Sequence, residues 1–131
     1  MRRVIADLDG GARSAPEAEL RDLFDGSSVI PAIRWNARLL SFDGTNLPTP
    51  DGWIDDAGIA LEVDSKAHHL ALPDWEETMR RNNLLTSHGA VVLHFPPSQI
   101  RGAPESVVRV VVEAYLERAR AGVKAAIRIA P

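Results

Sequence analysis

The chain of 131 residues has no cysteine, which excludes disulfides, thiolate chemistry and cysteine-ligated zinc. It also has no apolar run long enough to cross a bilayer. The opening Met1-Arg2-Arg3-Val4-Ile5-Ala6-Asp7 reaches an acid too soon for a secretory signal, so a cytoplasmic setting is the simplest expectation. There is no internal repeat and no low-complexity block. Gly10-Gly11 lacks the spacing and the preceding strand of a phosphate-binding loop. Ser65 stands too close in sequence to His68 and His69, and lacks an elbow, for a hydrolase triad. Basic excess is missing too: the net charge is -3, so the chain is not a general coat for DNA.

What is present fits one soluble globular domain, with 45% apolar and 25% charged residues. The domain is expected to fill residues 1–131, with a core at about 11–121, a leader at 1–10 and a tail at 122–131. Charge is unevenly spread. Asp51, Asp55, Asp56, Glu62 and Asp64 crowd the middle, while Arg80, Arg81, Arg101, Arg109, Arg118, Arg120, Lys124 and Arg128 bias the second half. A cation-bearing centre beside a surface for a polyanion would need such a division, although a mixed solvated surface produces it as well.

Ser14-Ala15-Pro16-Glu17 reads as a helix start, with Ser14 and Glu17 as a capping box. Leu20, Leu23 and Phe24 follow at helical spacing. The alternation through Ile33, Trp35, Ala37, Leu39 and Phe42 predicts one strand or two short ones before the turn at Asp43-Gly44. Asn46 to Pro50, with two prolines, reads as a loop. Asp51–Asp55 and Ile59–Ser65 read as two strands of a hairpin, turning at Asp56-Ala57-Gly58. A helix follows from Pro73-Asp74 to just before Gly89, with Trp75, Met79, Leu84 and Leu85 as candidate core contacts. The apolar run Ala90–Phe95 reads as a buried strand, and Pro104–Ala121 as a helix whose apolar side carries Val107, Val108, Val111, Val112, Tyr115 and Leu116. The tail from Val123 has weak strand character. Early antiparallel strands followed by a helical crossover to a parallel strand make an α/β domain of three layers.

Glu62 and Asp64, two apart on a strand, project from one face about 7 Å apart. If Asp51 arrives from the adjoining strand, three carboxylates meet and raise one another's pKa. A hard ion such as Mg²⁺ or Mn²⁺ resolves that repulsion and activates a water against a phosphodiester. The same acids also suit a solvent-facing strand edge, where charge discourages aggregation.

Pro50-Asp51, ten intervening residues and Glu62-Val63-Asp64 resemble the PD-(D/E)XK nuclease signature. Gly11 to Glu17, Glu62-Val63-Asp64-Ser65, His68-His69, Arg80-Arg81 and Val91 to Phe95 resemble more closely an uncharacterised family related to very-short-patch repair (Vsr-like) endonucleases. The likeness runs in order from about Gly11 to Leu116. It implies a restriction-endonuclease-like α/β/α fold of three layers around a central mixed sheet. Longer relatives often carry a winged-helix region in front, so this chain is expected to be one domain of a larger protein.

The resemblance assigns the metal to Asp51 and Glu62, with the Val63 carbonyl as a further ligand and Glu17 as an acid that completes the site. Asp64 stands where the superfamily has lysine, which leaves it able to bind metal or accept a proton but not to supply positive charge. Lys66 shares its face parity and is a candidate displaced lysine, or a solvated strand end. His69 matches a histidine of the near family and is a candidate for proton transfer, while Arg80 and Arg81 are candidates for backbone phosphates. Related domains often have an acid near Thr78, which this chain lacks there. Trp53 and Trp75 read as core or rim residues. The implied activity is Mg²⁺-dependent hydrolysis of DNA phosphodiester bonds, with DNA as partner, no membrane, and a homodimer as a possible assembly. The alternative is an inactive relative that binds nucleic acid or protein in a defence or toxin–antitoxin system.

Overall fold

The computed structural model describes residues 15–64 and 72–131. Helix α1 (Ala15–Phe24) buries Ala18, Leu20 and Phe24 and ends at Gly26, whose φ of 79° stops the helix. Ser14, the partner proposed for the capping box, lies outside the described residues.

The alternating segment after α1 divides into β1 (Arg34–Trp35) and β2 (Leu39–Ser41). The break falls at Asn36, which takes a left-handed φ of 56°, a conformation asparagine tolerates better than most residues. Its amide donates to the Asp51 carbonyl at 2.9 Å, fixing the break beside the acid. The two halves therefore enter different sheets. Strand β3 (Asn46–Leu47) forms where the prolines suggested a loop; Pro48 and Pro50 follow it, leaving Asn46 and Leu47 free to pair with Leu40 and Leu39.

Strands β4 (Gly52–Ile54) and β5 (Ile59–Val63) form the expected hairpin. Its turn ends at Gly58, with φ at 70°, where an added Cβ would stand 2.7 Å from the Ala125 backbone nitrogen. Both constraints require glycine. Helix α2 (Leu72–Ser87) then leads to β6 (Val91–Phe95), which pairs parallel to β5 as the order of elements predicted. Helices α3 (Pro97–Gly102) and α4 (Pro104–Ala121) follow, and the tail closes as β7 (Ile127–Ile129).

The result is a mixed α/β structure. One mixed sheet runs β1-β4-β5-β6, and a smaller antiparallel sheet runs β3-β2-β7. Alternate residues of β5 serve two cores. Ile59 and Leu61 join Leu20, Phe24, Ile54, Phe95, Val107 and Val111. Ala60 joins Trp53, Leu85, Leu39, Leu47 and Ile127 on the other side. Helices α1, α3 and α4 thus cover one face, and α2 with the smaller sheet covers the other.

Trp75 and Met79 are exposed rather than in the core, because α2 turns its Thr78, Arg81, Asn82 and Leu85 stripe toward the sheet. Leu116 lies at the edge of the apolar stripe of α4 and is exposed as well. Several basic residues of the second half are occupied structurally. Arg118 donates to the carbonyls of Ala57, Gly58 and Gly89, and Arg101 and Arg120 pair with Glu19 and Glu117. Among the described residues, no helix is long and apolar enough to cross a membrane.

Candidate functional site

The β4–β5 register pairs Gly52 with Leu61, and one step farther sets Asp51 opposite Glu62. Cross-strand neighbours share a face, so both carboxylates lie on the α2 side of the sheet. Asp51 is held there by its own side chain: Oδ2 accepts the Val63 amide at 2.7 Å. The loop acid is therefore tied to the strand that bears Glu62. Pro50, fully buried before it, fixes the approach of the loop.

Parallel pairing continues past β5, because the Asp64 amide donates to the Phe95 carbonyl at 2.9 Å. Asp64 keeps the parity of Glu62, is exposed, and lines the same open cavity of about 250 Å³. The structure thus brings Asp51 to Glu62, and Glu62 and Asp64 to one cleft.

The electrostatics single out Glu62. Burial, and then the neighbouring Asp51 carboxylate, push its carboxyl up to about 7, against the opposing pull of Arg81. Arg81 Nη2 stands 3.5 Å from Glu62 Oε2 and 3.2 Å from the Thr49 carbonyl to which it donates. Of the two arginines read as phosphate receivers, Arg81 therefore faces inward. Arg80 is exposed and clamps Glu77 with two hydrogen bonds of 3.0 and 2.7 Å.

Several residues that the sequence did not single out for a site belong to this cleft. His94 stands in register with Glu62 across β5 and β6, on the same face. Its Nε2–H donates to Asn82 Oδ1 at 3.0 Å, which leaves Nδ1 with the free lone pair. Burial lowers the pKa of the imidazole, opposed by Asp64 and Asp51. The available signal was the lone polar position in the apolar run Ala90–Phe95, two residues from Val92 and of its parity. At the other end, Asp74 and Glu77 line the cleft beside Thr78, so acids flank that position although Thr78 itself is none.

Glu17 is buried on α1, beside Ala18. Lys66, His68 and His69 lie outside the described residues. Trp53 is fully buried beneath the acid face, with its indole N–H donating to Asp55 at 2.9 Å.

Among the described residues, no group of three or more His, Asp or Glu is close enough to cage a metal ion. A cage is not what Mg²⁺ requires. It is commonly held by one or two carboxylates and keeps its remaining positions for water and phosphate. The Asp51–Glu62 pair fits that chemistry: its donors are hard oxygens, and the buried Glu62 charge is incompletely compensated. No family model, curated protein or solved structure matches the chain.

Proposed function

We propose that the chain is a divalent-metal-dependent endonuclease domain that hydrolyses phosphodiester bonds of DNA, on a restriction-endonuclease-like scaffold of three layers. The observation that carries this reading is that Asp51 stands opposite Glu62, whose cleft also receives Asp64 and His94. The PD-(D/E)XK resemblance supports it from the sequence side, as do helices on both faces of a mixed sheet.

Asp51 and Glu62 would hold Mg²⁺ or Mn²⁺, with the Val63 carbonyl as a neutral neighbour in the same strand. When bound, such an ion supplies Lewis acidity toward the phosphate and lowers the pKa of water. Asp64, exposed at the cleft, is the acceptor for the proton of the attacking water, or its orienting group. That role compensates for the missing signature lysine only in part, since a carboxylate cannot neutralise developing charge. Arg80 and Arg81 would receive the backbone phosphates, while the resemblance assigns His69 to proton transfer and strand parity with Asp64 assigns Lys66 to charge support.

The test is nicking of supercoiled plasmid with Mg²⁺ or Mn²⁺ by the wild type, Asp51→Ala and Glu62→Ala. The proposal expects activity that both substitutions abolish. Equal activity in all three, or none in any at high protein concentration, counts against it.

One observation favours the inactive alternative, a nucleic-acid- or protein-binding module of a defence or toxin–antitoxin system. Both arginines of α2 are engaged by acids of the chain itself, Arg80 by Glu77 and Arg81 by Glu62. Tight DNA binding without metal-dependent nicking would select that reading.

A further inference from the structure

We propose that Arg81 is a built-in counter-ion that competes with the divalent cation for Glu62, so that cation entry releases a guanidinium for phosphate. This rests on the metal reading above and adds the means by which the site is regulated.

The geometry is that of a cation surrogate. One nitrogen of Arg81, Nη2, lies 3.5 Å from Glu62 Oε2 and 3.2 Å from the Thr49 carbonyl. Thr49 is two residues before Asp51, so this single nitrogen touches both chain segments that deliver the acid pair. The Glu62 side chain is only 12% exposed, and a carboxylate so enclosed needs a positive neighbour when it is ionised. Arg81 supplies one charge where two carboxylates face each other.

The contact is also built to yield. It is a single ion pair at 3.5 Å rather than a two-pronged clamp, and the Arg81 side chain keeps 35% of its surface exposed. Arg80, one residue earlier, shows the contrast with its two short bonds to Glu77. Arg118 shows it again, fixed by three backbone carbonyls. A divalent ion on the Glu62 oxygens would repel the guanidinium at close range, so the two occupants exclude each other. A displaced Arg81 remains on the wall of the cleft, where an incoming phosphate offers it a better-matched anion.

Calorimetric titration of the full chain with MnCl₂ at pH 8 tests this, comparing wild type with R81M, R81K and R80M. R81M is expected to bind Mn²⁺ roughly tenfold more tightly, because a like charge has left the site. R81K, which keeps the charge, should stay near wild type, and so should R80M. R81Q serves as a second uncharged variant with the same expected direction should R81M fold poorly. Wild-type binding with unchanged or weaker affinity in R81M and R81Q overturns the role of Arg81 and leaves the metal reading standing. No Mn²⁺ binding by wild type or by either uncharged variant overturns both.

Discussion

Asp51 and Val63 are joined by a 2.7 Å hydrogen bond from the Val63 amide to the Asp51 carboxylate, twelve residues apart in sequence. The charge of Asp51 and its structural bond can therefore be separated by mutation. Asp51→Asn keeps an acceptor oxygen for the amide, whereas Asp51→Ala leaves that donor without one. Asp51→Asn is predicted to unfold at a urea midpoint no lower than wild type, and Asp51→Ala to be about 1–2 kcal/mol less stable than Asp51→Asn. Equal stability of the two variants would show that the bond contributes nothing.

Glu62 makes a prediction of opposite sign to the usual carboxylate. Its folded-state pKa of about 7 lies above the ordinary 4.5, so the folded chain binds a proton there that the unfolded chain releases. The stability it contributes is full below about pH 4.5 and is lost as pH rises through about 7. The loss is about 3 kcal/mol at pH 8, because each tenfold difference in proton affinity between the folded and unfolded chain is worth roughly 1.4 kcal/mol. Glu62→Gln should therefore be more stable than wild type at pH 8 and close to it at pH 4.5, in urea unfolding at both values. A stability difference that does not change with pH would contradict the buried charge. Retention of an ionisable acid at a cost in stability is what a functional carboxylate shows.

Much of this site was legible because it depends on strand parity and turn length. Ile59-Ala60-Leu61-Glu62-Val63 alternates between two cores, so Glu62 had to share a face with Ala60, and the turn at Asp56-Ala57-Gly58 brought Asp51 opposite it. Periodicity also located α4 and the parallel strand β6. It could not show that Asn36 would divert one alternating segment into two sheets, because that depends on a single left-handed residue. Nor could it fix which stripe of α2 faces inward. Trp75 and Met79 are apolar but lie away from the sheet, while the polar Arg81 and Asn82 meet Glu62 and His94. An ion pair between residues on different elements leaves no local pattern in the sequence.

His94 is predicted to be neutral at pH 7, because burial lowers its pKa and Asn82 holds the proton on Nε2. Its ¹⁵N resonances should report the Nε2–H tautomer, with a midpoint below the ordinary 6.5. Asn82→Ala should remove the tautomer preference and cost about 1 kcal/mol. An imidazolium at pH 7 would contradict this environment.

Trp53 and Trp75, two of the three tryptophans, separate core from surface. Trp53 is fully buried on the acid face of the sheet, and Trp53→Ala is predicted to destabilise by about 3–5 kcal/mol. Trp75 is 58% exposed, and Trp75→Ala should change stability by no more than about 0.5 kcal/mol. Comparable losses in chemical unfolding would place Trp75 in a core after all.

The most direct measurement is anomalous diffraction from a crystal of the chain soaked in Mn²⁺. A peak is expected at coordination distance from carboxylate oxygens of both Asp51 and Glu62, with Arg81 moved off Glu62. A soaked crystal in which Arg81 still pairs with Glu62, and in which no peak lies between the two acids, would contradict it.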